Sequence, residues 1–513
     1  MNNVSPAALL QRARARAAAA APLVGQMTTY GVGLVSRTDF LSGASLVDGR
    51  WIEDGAKLDV VDPATGDVVA SVASLDTPWV DRAVGAASRA LPGWRGLLPR
   101  ERGNMLRAWA ALVRQNRNDL AVIITLEQGK PLREALAELE YGAGFIDWFA
   151  EEAERIYGET IPSHKKDRHL SVVVQPIGIC ACVTPWNFPM AMIARKAGAA
   201  LAVGCTMIVK PAPETPLSAL ALGRLAQEAG MPAGVLQILV GAAAPLARRI
   251  LEHETVRAFS FTGSTEVGRL LLGQAAATVK KVSLELGGNA PFIVFDDAPL
   301  SKAIGDCVAA KFATSGQDCL AANRIYVQRG IYDAFVEGFV CAVDALRTGH
   351  GLDPASDIGP LTRLSVADKC RRLVADAVDR GARLLTARPA AEFGSFVTPT
   401  VLADVSDDML VASEEIFGPV AAILLFDTEE EVISRANNTE MGLAAYVYTN
   451  DLARATRTTD RLEYGMVAVN TPSFTGPPVP FGGWKQSGLG REGSRHGTAE
   501  FTEQKYVCIG LNS

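Results

Sequence analysis

The chain has 513 residues, a hydrophobic fraction of 48%, a charged fraction of 21% and a formal net charge of −6. This length exceeds what one small hydrophobic core usually serves, so we expect two or three domains. The acidic balance argues against a nucleic-acid-binding protein, which usually carries a clustered basic excess. Because no run of about 18 uncharged apolar residues occurs, we also expect no membrane span.

The cysteines are eight in number and do not resemble the framework of a small disulfide-rich domain. Cys180 and Cys182 form a C-x-C pair. No second pair and no nearby histidine completes a zinc set, so we predict no metal site. We interpret most of the cysteines as small buried hydrophobic residues in a reducing compartment.

The first 38 residues are rich in alanine and contain four arginines but no acidic residue. This composition fits either an amphipathic transit peptide or a poorly ordered tail. We favour a tail over residues 1–39 and hence a cytoplasmic protein. The mitochondrial matrix is the alternative if the segment is a transit peptide.

Between about residues 80 and 156 the apolar residues recur at helical spacing, for example Leu106, Trp109 and Val113. The tripeptide 129–131 (GKP) interrupts this pattern and predicts the end of one helix and the start of the next.

From about residue 171 short apolar runs alternate with helical stretches, which indicates a parallel sheet covered by helices on both faces. We predict strands at 172–174, 177–183, 207–209, 235–240, 258–261 and 291–295, and helices at 218–229 and 266–278. A second alternating series follows residue 319, with strands near 324–327 and 421–426. The predicted fold class is therefore α/β.

The segment 262–268 (TGSTEVG) comes directly after the predicted strand 258–261 and opens a helix. Backbone amides at a helix start attract phosphate, and Gly263 lets a ligand approach the backbone closely. The alternative is a helix that is simply capped by Ser264 or Thr265.

The segment 184–189 (TPWNFP) follows the predicted strand 177–183. Two prolines restrict its backbone on either side of Trp186 and Asn187, which gives both side chains a set direction. An Asn amide held in this way can donate a hydrogen bond to a developing oxyanion. A rigid turn around a buried Trp would give the same pattern.

Glu285 lies between two leucines in the segment 284–289 (LELGGN). A carboxyl group in apolar surroundings has a raised pKa and can act as a general base, unless it pairs with a basic neighbour. Cys319 ends the segment 316–319 (GQDC), which we expect to enter a helix whose dipole favours the thiolate. A single Cys is otherwise most often a buried hydrophobic residue. Asp318 would oppose a thiolate, so we expect its side chain to point away from the sulfur.

Together these segments resemble the aldehyde dehydrogenase superfamily in order and spacing, over essentially residues 40–510. The matching stretches are 184–189, 208–216 (IVKPAPETP), 261–268, 284–288, 316–319, 414–419 (EEIFGP) and 480–483 (PFGG). The resemblance implies a doubly wound parallel-sheet cofactor domain, an α/β catalytic domain and a small β oligomerisation arm.

By this resemblance Cys319 is the nucleophile, and its thiohemiacetal oxyanion is held by the Asn187 amide and the Cys319 backbone N–H. Hydride transfer to the nicotinamide leaves a thioester, and Glu285 activates the water that hydrolyses it. Lys196 matches a lysine that the family is thought to use for proton transfer. The presence of Glu285 argues against a CoA-acylating enzyme.

The resemblance also implies a nicotinamide cofactor. The residues that match the family's cofactor contacts are Lys210 for the adenosine ribose, Trp186, Gly263 and Ser264 for the pyrophosphate, with Gly268 in the same motif, Glu415 for the nicotinamide ribose and Phe417 for the nicotinamide. NAD⁺-preferring members often carry Glu three residues after the lysine, where this chain has Pro213 followed by Glu214. Without a carboxylate at that position, the 2′-phosphate of NADP⁺ is not repelled. We therefore expect a preference for NADP⁺ or the use of both cofactors, rather than strict use of NAD⁺.

Within the superfamily, the stretches 192–200, 322–328 and 485–494 are most similar to succinate-semialdehyde dehydrogenases. Arg195 matches the arginine that pairs with the substrate carboxylate, which suits a semialdehyde with an acid group. We add Thr475 as a second substrate-binding residue. The family's second arginine is Ala313 here, and the loop 471–479 is prolyl and aromatic. A neutral aliphatic or aromatic aldehyde therefore remains the alternative to succinate semialdehyde or a related semialdehyde.

We assign residues 40–160 and 177–287 to the NAD(P)-binding domain, 288–485 to the catalytic domain, and 161–176 with 486–513 to the oligomerisation arm. An arm with exposed edge strands needs a partner sheet, so we predict a homodimer or homotetramer. Apart from further copies of itself, we expect a small aldehyde as partner and no nucleic acid or membrane. The non-enzyme alternative is an inactive structural homologue.

Overall fold

The computed structural model describes residues 26–386 and 394–511. Most of the predicted N-terminal tail, residues 1–25, lies outside the described residues. In chain order the strands are β1 Ser45–Val47, β2 Arg50–Ile52, β3 Ala56–Val61, β4 Val68–Ser74, β5 Glu159–Ile161, β6 Arg168–Pro176, β7 Ile179–Val183, β8 Thr206–Lys210, β9 Leu236–Ile238, β10 Val256–Thr262, β11 Lys281–Glu285, β12 Ala290–Val294, β13 Ala322–Gln328, β14 Arg383–Leu384, β15 Thr400–Ala403, β16 Val420–Phe426, β17 Met441–Gly442, β18 Ala444–Tyr448, β19 Met466–Val469, β20 Trp484–Lys485, β21 Gly488–Leu489 and β22 Thr502–Gly510.

The helices lie between these strands and on both sides of them. They are α1 Met27–Leu34, α2 Thr77–Gly96, α3 Pro99–Gln115, α4 Arg117–Gln128, α5 Leu132–Glu152, α6 Ala191–Val203, α7 Pro216–Glu228, α8 Ala243–Glu252, α9 Thr265–Ala275, α10 Leu300–Phe312, α11 Tyr332–Asp344, α12 Leu364–Asp379, α13 Leu410–Ser413, α14 Glu429–Asn437, α15 Leu452–Arg461 and α16 His496–Ala499. In the part of the chain that the structure covers, no helix combines the length and apolar character needed to cross a membrane.

An eight-stranded sheet has the order β2-β1-β9-β8-β7-β10-β11-β21. Its five central strands, β9 to β11 in that order, are parallel. Strands β7 and β8 are buried along their whole length, which explains their continuous apolar sequences. All of its strands except β21 lie within residues 40–160 and 177–287.

A seven-stranded sheet has the order β14-β15-β16-β13-β12-β18-β19. All its pairs are parallel except β14 with β15. Two clusters of buried apolar side chains flank it, one including Phe292, Phe335 and Phe339 and the other Tyr326 and Leu373. The two parallel sheets bear out the predicted α/β class.

The third sheet is antiparallel and has the order β22-β6-β5. The register of β22 on β6 runs from Thr502 opposite Pro176 to Gly510 opposite Arg168. Much of β22 is exposed. Strand β21 differs from the predicted arm 486–513, because it pairs with β11 in the first sheet, with Gly488 opposite Glu285. A two-residue edge strand has too few side chains to give a sequence pattern.

The described part of the predicted tail is folded. Residues 27–34 form α1, and the Thr28 hydroxyl donates a 2.8 Å hydrogen bond to Asp62. Asp62 also lies 2.9 Å from His350 Nε2, so this helix is tied to two distant parts of the chain. The expectation of a tail is wrong for this segment, since local composition does not reveal a partner so far along the chain.

The predicted break at residues 129–131 is confirmed. Gly129 ends α4 with a positive φ of 98°, and Pro131 immediately precedes α5. The cysteines follow the prediction in part. Five of them are buried and Cys319 is partly exposed, but Cys341 and Cys508 are exposed.

Candidate active site

Four neighbouring parallel strands bring most of the predicted site residues to one edge of the first sheet. Val183, at the end of β7, is in register with Lys210 at the end of β8. Thr262, at the end of β10, is in register with Glu285 at the end of β11. Ligands of such sheets bind at the carboxyl ends of the strands.

At the helix start 263–268 the structure shows the cap that the sequence suggested, and phosphate binding there stays a prediction. Ser264 caps α9 by accepting a hydrogen bond from the Val267 N–H at 3.4 Å. The Gly263 N–H donates to the Glu285 carbonyl at 3.0 Å, which ties the motif to the next strand. A Cβ on Gly268 would lie 2.4 Å from the Leu286 side chain, so only glycine permits this packing.

The segment before Cys319 has an unusual backbone. Thr314, Ser315 and Gly316 have φ values of 51°, 58° and 74°, which are left-handed. Strained residues of this kind cluster at functional sites. Cys319 itself lies in a turn before β13 and enters no helix. The expected helix dipole is therefore absent, because the glycine turn leads into a strand.

The surroundings of the Cys319 sulfur favour the thiol. Burial, followed by the charge of Asp318, raises the pKa of Cys319 well above its ordinary value. Asp318 also lines the same cavity as Cys319. Our expectation that Asp318 points away from the sulfur is wrong. Two adjacent residues ordinarily point to opposite sides only in an extended strand, and this segment is a turn.

Asn187 is buried close to the segment that ends at Cys319. Its side-chain N–H₂ group donates to the Gln317 carbonyl at 3.1 Å. That bond uses one of the two amide hydrogens and sets the direction of the other. Within the described residues, the amide oxygen of Asn187 has no hydrogen-bond partner.

Cys319, Arg195 and Thr475 line the same cavity, of about 310 Å³. Ala313 also lines this cavity, so the position where the family carries its second arginine adds only a methyl group. Tyr141 is a further residue that lines this cavity. The structure thus brings the predicted nucleophile and both predicted substrate residues together.

Arg195 is fully enclosed at the wall of this cavity. Its Nε lies 2.5 Å from a carboxylate oxygen of Glu492, and its guanidinium lies 4.1 Å from the centre of the Phe481 ring. It also donates to the Met192 sulfur at 3.0 Å. Its Nη1 has no partner among the residues that the structure describes.

Lys196 projects from the next position of the same helix. Its ammonium group forms an ion pair with Glu492 and donates to the Ser260 hydroxyl at 2.8 Å. Burial alone would raise the pKa of Glu492, but Lys196 and Arg195 together hold it below its ordinary value. One carboxylate therefore joins two predicted site residues.

Glu285 is a buried carboxyl group, and neither of its oxygens has a hydrogen-bond partner within residues 26–386 and 394–511. Burial, followed by the charge of Glu492, raises its pKa well above the ordinary value. A Cβ on Gly482 would lie 2.9 Å from a Glu285 oxygen, so the segment 480–483 closes over the carboxyl group. The expectation of a desolvated carboxyl agrees with this geometry.

Lys210 lies away from the cavity, at the predicted adenosine end of the sheet edge. Its ammonium group is buried and has no partner in the described part of the chain. Burial lowers its pKa to about 8. Glu214, which could have opposed a phosphate, is paired with Arg363.

Trp186, Glu415 and Phe417 are the remaining residues that match the family's cofactor contacts. The rings of Trp186 and Phe417 meet edge to face with centroids 5.5 Å apart. A Glu415 carboxylate oxygen accepts from the Gly288 N–H at 2.9 Å, which places it beside the strand end that carries Glu285. Phe417 has a φ of 57°, a conformation that is rare for a non-glycine residue.

Two residues of the site escaped the sequence reasoning. Tyr141 faces the cavity from a helix whose helical apolar pattern explains it equally well as a core residue. Glu492 lies in a glycine-rich loop, and nothing in its neighbourhood indicates that its carboxylate is buried against two cations. No group of three or more His, Cys, Asp or Glu side chains in the described ranges could hold a metal ion.

The chain is similar to known proteins over most of its length. The family model described as "Aldehyde dehydrogenase family" matches residues 51–507. The succinate-semialdehyde dehydrogenase GabD of Escherichia coli (strain K12), whose name specifies NADP(+), is 51% identical over 470 residues, which cover 91% of this chain and 98% of that protein.

Two further relatives are similarly close. A glutarate-semialdehyde dehydrogenase of Pseudomonas putida is 50% identical, and the match covers 91% of this chain and 97% of that protein. The crystal structure of an aldehyde dehydrogenase from Brucella melitensis biovar abortus 2308 superposes with a TM-score of 0.92 at 51% identity, covering 93% of this chain and 99% of that one.

Proposed function

Since the chain belongs to the aldehyde dehydrogenase family, we propose that it oxidises a short semialdehyde, whose far end carries an acid group, to the dicarboxylic product. The observation that carries this proposal is the single cavity lined by both Cys319 and Arg195. A thiol at one end can attack the aldehyde carbon, and a guanidinium at the other can pair with the acid group.

The residues around Cys319 suit the addition step. The Cys319 thiol gives its proton to water as its sulfur bonds to the aldehyde carbon, and the negative charge moves to the former carbonyl oxygen. The second amide hydrogen of Asn187 and the Cys319 backbone N–H are the donors that we assign to this oxyanion. The surrounding burial strengthens such donors, because few waters compete with them.

Glu285 is the group that we assign to hydrolysis of the acyl group on Cys319. An ionised carboxylate with a raised pKa accepts a proton from water more readily than an ordinary carboxylate does. Glu492 lies near enough to affect the pKa of Glu285, and it contacts Lys196. Lys196 and Glu492 therefore offer a path along which the proton leaves Glu285.

The cofactor is NAD⁺ or NADP⁺, which when bound supplies the hydride acceptor that the oxidation needs. The buried, unpartnered ammonium of Lys210 suits an adenosine ribose or its phosphate, and the start of α9 at Gly263 and Ser264 suits the pyrophosphate. Trp186, Gly268, Glu415 and Phe417 complete the proposed cofactor residues. Because Glu214 is already neutralised by Arg363, we favour NADP⁺ or dual use.

A neutral aldehyde is the second candidate substrate, and one observation favours it. Glu492 already compensates the charge of Arg195, and the cavity also has apolar walls at Phe188, Leu320 and Phe481. The unpartnered Nη1 of Arg195 and the hydroxyl of Tyr141 nevertheless supply polar contacts for an acid group. We therefore place the acidic semialdehyde first.

Initial rates of NAD(P)H formation at a wavelength where only the reduced cofactor absorbs test this proposal. Succinate semialdehyde, glutarate semialdehyde, hexanal and benzaldehyde are each measured with NAD⁺ and with NADP⁺. We expect the two acidic semialdehydes to have the higher kcat/KM. A higher value for hexanal or benzaldehyde would overturn the acid-group assignment, and no rate with any of the four would overturn the proposed function.

A further inference from the structure

At the wall of the cavity lies a buried ion pair, Lys130 with Glu138, that the mechanism above does not use. Lys130 Nζ lies 2.7 Å from a carboxylate oxygen of Glu138, and both side chains are completely enclosed. The same ammonium group donates to the Asn187 carbonyl at 2.8 Å. Removing two charges from water is costly, so such a pair is weak evidence for stability and invites another explanation.

Glu138 also holds the chain that follows Asn187. Its second carboxylate oxygen accepts hydrogen bonds from the backbone N–H groups of Met190, at 2.9 Å, and Ala191, at 3.2 Å. These are free N–H groups at the start of α6, where a negative charge is favourable. The ion pair therefore binds the short turn that carries Asn187 at two points: Lys130 binds the Asn187 carbonyl, and Glu138 binds the Met190 N–H.

The ammonium group contacts the middle of this turn as well. Lys130 Nζ lies 4.0 Å from the centre of the Phe188 ring, which is a cation–π contact. Asn187 and Phe188 are therefore held by the same cation, one through its carbonyl and the other through its ring.

A second series of hydrogen bonds leads from the Asn187 side chain back to Lys130. The Gln317 carbonyl accepts from Asn187, and the Gln317 side chain accepts from the Thr362 N–H at 2.9 Å. The Thr362 hydroxyl donates to the Gln128 carbonyl at 2.7 Å. The Lys130 N–H donates to the Gln128 side chain at 2.9 Å. Together with the bond from Lys130 to the Asn187 carbonyl, these hydrogen bonds form a closed circuit. The circuit includes Gln317, which lies two positions before Cys319.

We infer that Lys130, held by Glu138, is a positioning residue that fixes the Asn187 amide relative to Cys319. This inference rests on the proposed function, because it requires an oxyanion for Asn187 to stabilise. Loss of the ammonium group would leave the Asn187 carbonyl without its donor and free the turn to move. A displacement of about 1 Å at such a donor costs up to about 10²-fold in rate.

The Lys130→Met variant of the full-length protein tests the inference, since Met keeps most of the unbranched side chain. We expect kcat to fall by about 10- to 100-fold, with the KM for NAD(P)⁺ changed by less than about two-fold. The rate at which iodoacetamide alkylates Cys319 should stay unchanged, because alkylation forms no oxyanion. In an Asn187→Ala background, Lys130→Met should lower kcat no further.

Two further variants keep the test decisive. If Lys130→Met fails to fold because Glu138 is left unpaired, the double variant Lys130→Met/Glu138→Gln removes that charge and should show the same loss. Glu127→Gln is the matched control. Glu127 is another buried carboxylate that accepts from the first N–H groups of a helix, those of Leu217 and Ser218, outside the circuit. It should keep kcat within about two-fold.

The inference is overturned if the Lys130 variants keep the wild-type kcat, or if their loss adds fully to that of Asn187→Ala. A parallel fall in alkylation rate would overturn it too, because that indicates general damage around Cys319. Failure of the wild-type protein to oxidise any aldehyde would instead refute the proposed function.

Discussion

The carboxylate of Asp318 and the thiol of Cys319, its neighbour in the chain, line the same cavity, and the charge of Asp318 raises the pKa of Cys319. Asp318 is itself held by the Leu320 N–H, which donates to its carboxylate at 3.0 Å. This arrangement stabilises the thiol and opposes the thiolate, so the free protein holds Cys319 in its less reactive form. A neutral thiol resists oxidation, and the nucleophile is formed only when the proton is removed.

Substitution of Asp318 by Asn should make Cys319 more acidic. The charge of Asp318 raises the pKa of Cys319, so its removal lowers that pKa, while the Asn carbonyl can still accept from Leu320. Measured against pH, the rate of iodoacetamide alkylation should reach its midpoint at a lower pH than in wild type. Asp333→Asn, at an exposed position on α11, is the control. A midpoint that does not move would show that Asp318 does not act on the sulfur.

Glu285→Gln should block hydrolysis of the acyl group while leaving its formation intact. We expect steady-state kcat to fall by about 10²- to 10⁴-fold, since a general base contributes about that much. Rapid mixing should still give close to one equivalent of NAD(P)H per site, and mass spectrometry should find the acyl group on Cys319. Absence of both the burst and the adduct would place Glu285 in an earlier step.

The same carboxyl group predicts a pH dependence. Burial raises the pKa of Glu285 well above its ordinary value, and the protonated form cannot accept a proton from water. The wild-type kcat should therefore increase with pH above the usual carboxylate range, as Glu285 ionises. In Glu285→Gln the residual kcat should lack this ionisation, and a profile identical to wild type would assign the pH dependence to another group.

Cys319→Ala should abolish aldehyde oxidation without loss of cofactor binding. Alanine removes the sulfur that forms the covalent intermediate, whereas Lys210 and the start of α9 are unaffected. Activity and the affinity for NADP⁺, measured by calorimetry, are compared with those of Cys341→Ala, at an exposed cysteine outside the site. Turnover that survives in Cys319→Ala would refute the covalent mechanism.

Arg195→Ala should discriminate between acidic and neutral substrates. The variant removes the guanidinium that pairs with an acid group, so kcat/KM for glutarate semialdehyde should fall by at least about 10-fold more than for hexanal. Both substrates should lose some activity, because Arg195 also pairs with Glu492. Equal losses for the two would mean that Arg195 acts only through Glu492.

Much of this arrangement follows from local sequence. The alternating apolar runs and helical stretches predicted both parallel sheets, since a buried parallel strand must be apolar on both faces. The cap at Ser264 and the desolvated carboxyl of Glu285 follow from their immediate neighbours. The resemblance to the aldehyde dehydrogenase family predicted that Asn187, Arg195 and Cys319 belong to one active site.

The parts that could not be predicted depend on residues far apart in the chain. The pairing of Glu492 with Arg195 joins positions almost 300 residues apart, and Lys130 meets Asn187 only because a helix packs beneath the turn. The direction of Asp318 depends on a turn where we expected a helix. The segment 27–34 is held by the hydrogen bond from Thr28 to Asp62, and the composition of the segment does not reveal that contact.

The pairing of Gly488 with Glu285 bears on the order in which the protein is synthesised. The strand that carries Glu285 emerges from the ribosome long before its edge partner, which follows the whole of the second sheet. Glu492 and the segment over Glu285 likewise follow the last strand of the second sheet in the chain. A nascent chain can thus pair the other strands of both sheets while this edge is still open, and the cover over Glu285 forms only after residues 480–492 have been made.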